Sequence, residues 1–125
     1  MFKSVREVDD YGNKQTHYYL TKGDSCTITS TPQRGGVSIA NEVSACKFKL
    51  ATSNYQILTV TDKDGNKIFP ITMTKSGDSF VLNLTSAITS QIPVGSYVYE
   101  IEYTLTDNRV QTPHSWTFDI VNEIQ

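Results

Sequence analysis

The strongest constraint on the fold is a run of nine residues near the C-terminus in which large apolar side chains occupy every second position. The apolar set is Tyr97, Tyr99, Ile101, Tyr103 and Leu105, and the intervening residues are Val98, Glu100, Glu102 and Thr104. Successive side chains of a β-strand point to opposite faces, so this period of two predicts a strand with one buried face and one solvated face.

The composition of the whole chain also favours β-strands over helices. Val, Ile and Thr supply 36 of the 125 residues, whereas Leu and Ala together supply 10. Side chains branched at Cβ lose rotamer freedom in helices and pack well on pleated sheets. The chain length is that of a single domain. We therefore expect one all-β domain.

Alternating patterns separated by turn residues predict about eight strands. They cover residues 17–20, 25–31, 43–51, 56–61, 67–73, 80–84 and 97–105, and a final strand that ends at Val121. The Asp64-Gly65 pair predicts a hairpin turn between two of them, and residues 85–91 predict a single helical turn. Short strands at this spacing are typical of sandwiches and small barrels. We predict an Ig-like antiparallel β-sandwich of about seven to nine strands over residues 15–125.

The first 14 residues fit this pattern poorly. Phe2, Val5 and Val8 are spaced three apart, which indicates neither a regular strand nor a helix long enough to be stable alone. We interpret residues 1–14 as an N-terminal arm.

Charge and hydropathy exclude several classes of partner. The net charge is −2 and the isoelectric point is about 5.6, whereas nucleic-acid-binding domains usually carry a concentrated basic face. The longest uncharged stretch, residues 79–99, contains many polar residues and does not resemble a membrane span. The N-terminus lacks the apolar segment of a signal peptide. We expect neither nucleic acid nor membrane as a partner, and a small-molecule ligand is not favoured.

The two cysteines lie on predicted strands. Cys26 alternates with Ile28, and Cys46 alternates with Phe48 and Leu50. We favour two reduced, buried thiols, because a chain without an export signal stays in a reducing compartment. One disulfide across the sheets is the alternative.

Motifs for catalysis and metal binding are weak. Asp62, Asp64 and Asn66 resemble the start of a calcium loop, but Lys67 and Met73 occupy the positions where an EF-hand needs glycine and glutamate. We interpret them as turn residues.

No zinc motif or nucleophile elbow is found either. His17 and His114 are far apart in sequence and are expected to be exposed at strand edges. Glu100 and Glu102 share one strand face and loosely suit paired catalytic carboxylates, but such pairs are usually solvated charges. We predict no enzyme activity, no metal and no cofactor.

Exposed aromatic rings are the remaining candidates for binding. The tyrosines of β-strand 97–105 are expected to be core residues. Four others lie in or beside predicted turns and are better placed to contact a ligand: Tyr11, Tyr18, Tyr19 and Tyr55.

Two local signatures resemble known families. The order Gly95-Ser96-Tyr97-Val98-Tyr99 resembles the tyrosine corner of immunoglobulin-like sandwiches, in which the tyrosine hydroxyl bonds upstream backbone. This resemblance assigns Gly95 and Tyr97 to a structural corner. Neither the disulfide nor the tryptophan of antibody domains is present at the matching positions.

A longer resemblance covers residues 20–121. It is carried by Lys22-Gly23-Asp24-Ser25 at the start of a strand and by Leu84-Thr85 followed by the segment from Ile92 to Ile101. These residues resemble the N-terminal β-sandwich module of phage baseplate upper proteins and related Ig-like virion domains.

The resemblance implies a non-enzymatic assembly part of a phage tail, baseplate or head appendage, located in the virion and assembled in the host cytoplasm. The implied partners are other virion proteins and further copies of the chain. We predict Phe2, Val5, Tyr18 and Tyr19 as interface residues. The alternative function is an adhesion or carbohydrate-binding module.

Overall fold

The computed structural model describes residues 2–8 and 14–122, with the side chains of residues 16–112 and 115–122. The described residues contain eleven strands, more than the seven to nine predicted, because several are only two or three residues long. The strands are β1 (Phe2–Val8), β2 (Lys14–Thr21), β3 (Cys26–Ser30), β4 (Gln33–Arg34), β5 (Val37–Ser38), β6 (Val43–Ala51), β7 (Ile71–Thr72), β8 (Thr74–Ser76), β9 (Ser79–Leu84), β10 (Gly95–Leu105) and β11 (Val110–Val121). The helices are α1 (Ser86–Thr89) and a short 3-10 helix, Ala40–Glu42.

Two main sheets form a sandwich. The larger sheet has six strands in the order β1-β2-β11-β10-β6-β7, and the smaller has three in the order β3-β9-β8. Strands β4 and β5 form a separate two-stranded hairpin. Apolar residues from both main sheets pack in one continuous core. The predicted all-β sandwich is confirmed, whereas the Ig-like topology stays a prediction.

The larger sheet is mixed, so the prediction of a wholly antiparallel sandwich was wrong. Strand β11 pairs with β10 in antiparallel orientation but with β2 in parallel orientation, from Phe118 opposite Tyr18 to Val121 opposite Thr21. A parallel pair needs a long crossover connection. Here the connection runs from β2 through the smaller sheet and back, which local sequence patterns do not reveal.

Strand β10 has the predicted alternation. All five apolar side chains of the run from Tyr97 to Leu105 are buried, and the residues between them are half-buried on the opposite face. Strands β6 and β11 flank β10 on its two sides. β10 is thus a central strand that supplies a large part of the core.

The centre of the core is aromatic. The Phe48 side chain is fully buried, and its ring centroid lies 5.9 Å from that of Tyr99, 6.2 Å from Phe69 and 6.3 Å from Phe118. Trp116 is only partly buried and packs at the margin of this cluster.

A buried polar contact joins the two sheets. The hydroxyl of Ser30, at the end of β3, is hydrogen-bonded to the hydroxyl of Tyr103 in β10. Both side chains are buried. Burial raises the pKa of Tyr103, an effect that the Ser30 hydrogen bond partly opposes, so the phenol stays protonated at neutral pH.

The segment between β6 and β7 differs from the prediction. Residues 56–61 form no continuous strand, and residues 67–73 contribute only β7, which pairs with β6 at Lys47 and Phe48. An isolated bridge from Thr61 to Lys67 is what remains of the ladder expected between them, and a second isolated bridge joins Ile57 to Ala51 at the end of β6. Pro70 has no N–H to donate, which interrupts strand pairing ahead of β7.

Residues 2–8, predicted to be part of an arm, form strand β1 at one edge of the larger sheet. β1 pairs with β2 in antiparallel orientation, from Phe2 opposite Leu20 to Val8 opposite Lys14. Strand pairing uses backbone groups, so the three-residue spacing of Phe2, Val5 and Val8 does not prevent it. Residues 1 and 9–13 of the predicted arm lie outside the described residues.

The short helix α1 confirms the helical turn predicted within residues 85–91. Its N-cap is Thr85, whose hydroxyl accepts a hydrogen bond from the Ile88 N–H at 3.3 Å. Such a cap satisfies one of the backbone donors that a helix start leaves unpaired. The helix links the smaller sheet to β10.

Both cysteines are free and buried, as favoured from the sequence. Burial raises the pKa of Cys26 to about 11 and the pKa of Cys46 to about 12. The Cys46 thiol contacts the Met73 sulfur at 3.6 Å, inside the core. The two thiols therefore behave as small apolar side chains rather than as nucleophiles.

These thiols predict a loss of stability in alkaline solution. Above about pH 9 the unfolded chain releases thiol protons that the folded chain retains, so the unfolded state binds fewer protons and the free energy of unfolding falls as pH rises. Below that pH the two thiols add no pH dependence to stability, and at higher pH the buried tyrosines, whose pKa values burial also raises, add to the loss. Urea unfolding between about pH 7 and pH 11 tests this, and a Cys26→Ala/Cys46→Ala variant is expected to show a shallower fall. A constant free energy of unfolding across this range would contradict the prediction.

Candidate functional site

A groove of about 530 Å³ lies on the outer face of the larger sheet. Strands β6 and β10 form its floor, and the residues that follow β6 and precede β7 form its wall. Its volume lies within the roughly 300–1,000 Å³ typical of small-molecule sites. The lining residues are Lys47, Lys49, Ala51, Tyr55, Ile57, Pro70, Val98, Glu100 and Glu102.

The groove floor carries two lysines and two glutamates. In the antiparallel register Lys49 lies opposite Glu100 and Lys47 lies opposite Glu102. The ion pair, however, runs diagonally: Lys49 Nζ is 2.7 Å from Glu102 Oε2, and both side chains are partly buried. Lys47 and Glu100, at the two remaining corners, have no ion-pair partner among the described residues.

Tyr55 stands at the rim of the groove in an unusual backbone conformation. Its side chain is 73% exposed, and its φ angle is +62°, in the left-handed region that bulky residues rarely adopt. Two backbone hydrogen bonds hold the turn, from the Tyr55 N–H to the Thr52 carbonyl at 2.8 Å and from the Thr52 N–H to the Gln56 carbonyl at 2.9 Å. Strained residues of this kind cluster at functional sites.

The groove is suited to binding. Its charged groups balance, it offers a free ammonium and a free carboxylate, and Ile57, Pro70 and Val98 provide apolar surface beside them. Glu102 is bonded to a lysine, so Glu100 and Glu102 differ from a pair of carboxylates poised on either side of a glycosidic bond.

The predicted interface residues lie on two adjacent strands, β1 and β2. Phe2 and Val5 belong to β1, opposite Leu20 and His17 respectively. Tyr18 is half-buried, with its ring centroid 5.2 Å from Tyr99 and 5.5 Å from Phe118. The expectation that Tyr18 is well exposed was wrong, because its ring packs on the aromatic core.

Tyr19 points to the other face of the sheet and is half-exposed. Its ring centroid is 4.1 Å from that of His17. His17 Nε2 lies 3.1 Å from Asp119 Oδ2, and the His17 side chain is 18% exposed. His17 is thus a partnered residue rather than the exposed histidine expected from the sequence. Tyr11 lies outside the described residues, as does the side chain of His114.

Gly95 and Tyr97 occupy the start of β10. The Tyr97 hydroxyl donates a 2.5 Å hydrogen bond to the Pro93 carbonyl, four residues upstream, and its ring packs over Gly95. This is the type of bond that a tyrosine corner makes. It fixes the entry of the chain into the larger sheet.

The Asp62 segment is a turn, as interpreted from the sequence. The Asp62 carboxylate accepts hydrogen bonds from the N–H groups of Asp64 and Asn66, and Gly65 has a positive φ angle. Across the described ranges, no group of three or more His, Cys, Asp or Glu side chains is placed to hold a metal ion.

Sequence reasoning identified some parts of the groove and missed others. The solvated face of β10 and the exposure of Tyr55 were predicted. The contributions of Ile57 and Pro70 were missed, because both residues were assigned to strands. A cue was available in Tyr55, which follows the turn-forming pair Ser53-Asn54.

Within residues 2–8 and 14–122 there is no helix of the length and apolarity that a membrane span requires. No protein-family model matches the chain, and a search of curated proteins finds no significant match.

Proposed function

We propose that the chain is a non-enzymatic assembly module of a phage virion, in a tail, baseplate or head appendage, and that it acts through protein–protein contacts that include self-association. The virion assignment rests on the resemblance of residues 20–121 to virion sandwich modules. The observation that best supports assembly is the outer edge of β1, where the six-stranded sheet ends in a seven-residue strand.

An edge strand presents a row of backbone donors and acceptors to a further strand. β1 is long enough to make a continuous ladder, whereas the opposite edge strand, β7, has two residues. Within the described part of the chain nothing pairs with the outer side of β1. Lys3, Arg6 and Glu7 place charges along it, and charges restrict the partners and registers that an edge accepts.

The sequence of β1 suits antiparallel pairing with a second copy of itself. In such a pair, the residues whose N–H and C=O groups point toward the partner are every second residue of the strand. Two residues that lie opposite each other are therefore either both odd-numbered or both even-numbered. With Val5 on the two-fold axis, Lys3 lies opposite Glu7, Ser4 opposite Arg6 and Phe2 opposite Val8. All seven residues are paired, and two pairs have opposite charge.

The two neighbouring registers that satisfy this numbering rule are less favourable for pairing. A shift in one direction places Arg6 opposite Arg6, and like charges directly opposite each other are destabilising. A shift in the other direction leaves Glu7 and Val8 unpaired within the strand. A closed two-fold dimer with one continuous sheet across both copies is the arrangement that this edge favours.

A charge-swap series tests this pairing. Glu7→Lys places lysines opposite each other twice per dimer, and we expect dimer affinity to fall by about tenfold or more, since each opposed pair contributes about 0.2–1 kcal/mol and its reversal also adds repulsion. The double variant Lys3→Glu/Glu7→Lys restores both opposite-charge pairs and is expected to dimerise like the parent. Size-exclusion chromatography with light scattering measures the mass. A Glu7→Lys protein with unchanged affinity would contradict this register.

Deletion of residues 1–14 tests the edge as a whole. The truncated chain should remain folded, because the β3–β11 core is intact, but should be monomeric. Val110→Lys, at an exposed position at the far end of β11, is the matched control and should leave the mass unchanged. An unchanged oligomer after truncation would refute assembly through β1. Neighbouring open reading frames without virion components would argue against the virion context.

A further inference from the structure

We infer that the groove between β6, β10 and Tyr55 is a binding site for a neutral oligosaccharide. The inference rests on the alternative function given above, a carbohydrate-binding module. It is independent of assembly through β1, because β10 and β6, which form the groove floor, lie three and four strands away from β1 in the sheet.

The charges of the groove favour a ligand that is polar but uncharged. Two lysines and two glutamates give a net charge of zero, and the Lys49–Glu102 ion pair already satisfies one group of each sign. Lys47 and Glu100 remain at opposite corners of the floor, one as a hydrogen-bond donor and one as an acceptor. Sugar hydroxyls both donate and accept hydrogen bonds, so a row of them can bond to both Lys47 and Glu100 without introducing charge.

The apolar part of the groove favours a ring with one C–H face. Tyr55 presents most of its aromatic surface to solvent, and Ile57 is 41% exposed beside it. Aromatic side chains combine a large apolar face with a hydroxyl handle, which suits a ligand with both apolar and polar surface. A pyranose ring stacked on Tyr55 would direct its hydroxyls toward the charged floor.

The backbone at Tyr55 strengthens this argument. A left-handed conformation is strained for a bulky residue such as tyrosine, whereas Asn or Gly would adopt it at lower cost. The Tyr55 side chain is 73% exposed, so burial of the ring contributes little that would offset this strain. A ring retained at a strained, solvent-facing position on the rim of a groove is accounted for by a ligand that stacks on it.

NMR titration of the full chain tests the site. The probes are maltotriose, cellotriose, mannotriose and tri-N-acetylchitotriose, each added to millimolar concentration. We expect at least one to cause saturable shifts at Lys47, Lys49, Tyr55 and Glu102, with a Kd of about 1 mM or tighter. The affinity should be insensitive to salt, because a neutral ligand forms no ion pairs that salt can screen. The absence of groove shifts with all four probes, or binding that salt abolishes, would overturn the inference.

Two variants with matched controls locate the binding. Tyr55→Asn removes the ring while suiting the positive φ angle, so it should fold and lose affinity by at least about tenfold. Val37→Asn changes another exposed apolar residue, remote from the groove, and should bind as the parent does. Glu100→Ala should weaken binding, whereas Asp78→Ala, in the β8–β9 turn, should not. Unchanged affinity in Tyr55→Asn would overturn the site, and its dimer mass, measured in parallel, reports separately on assembly.

Discussion

Replacement of Phe48 with alanine is expected to lower the free energy of unfolding by about 3–5 kcal/mol, the range for truncating a fully buried phenylalanine. The ring lies between Tyr99, Phe69 and Phe118, and its removal leaves a cavity that these rigid neighbours cannot fill. Domains of this size are stable by only about 5–15 kcal/mol, so the variant should be close to unfolding.

Urea unfolding followed by Trp116 fluorescence measures the Phe48 effect. Phe48→Leu refills part of the cavity and should lose much less stability than Phe48→Ala. Val37→Ala, at a 68% exposed position, is the surface control and should stay within about 0.5 kcal/mol of the parent. A loss below about 1 kcal/mol for Phe48→Ala would contradict its place at the centre of the core.

The second large effect is expected at the contact between Ser30 and Tyr103. Tyr103→Phe removes one hydroxyl and leaves the Ser30 hydroxyl buried without its partner, which costs about 1–3 kcal/mol. Ser30→Ala leaves the phenol unpaired and should be similarly destabilising. Because the bond joins the two sheets, its loss also removes the polar contact that fixes how they face each other.

A double-mutant cycle separates this contact from other effects. The Ser30→Ala/Tyr103→Phe variant has no orphaned hydroxyl, so it should be more stable than the sum of the single losses predicts. Tyr97→Phe serves as the comparison, since its partner, the Pro93 carbonyl, belongs to an exposed residue and can bond to water instead. Strict additivity of the two single variants would show that the hydroxyls contribute independently.

Local patterns were sufficient to predict the strands that pack against the core. In β10 and β6, apolar and polar residues alternate because one face is buried and the other is exposed to solvent. This alternation can be seen in the sequence without knowledge of the fold. The same reasoning placed Tyr97, Tyr99 and Tyr103 in the core, where they are buried. It failed for residues 56–61, where alternation was present but the backbone turns at Tyr55 and makes only isolated bridges.

Local sequence patterns could not predict which strands pair with each other. Nothing near Tyr18 indicates that its strand pairs in parallel with β11, because that choice depends on how the connection crosses the sandwich. For the candidate site, the solvated charge of Glu102 was predicted, but its diagonal ion pair with Lys49 depends on side-chain geometry across two strands. The positive φ angle of Tyr55 is likewise set by the surrounding turn rather than by the residue itself.

The parallel pairing of β2 with β11 has a consequence for synthesis. During translation β2 leaves the ribosome before β3–β10 and β11 leaves after them, so β2 lacks this neighbour while all the strands between them are made. Closing so long a loop is slow, since the entropy cost precedes the contacts that offset it. The smaller sheet and the β6–β10 pair can form earlier, and the nascent chain then completes its larger sheet only when the C-terminal strand emerges.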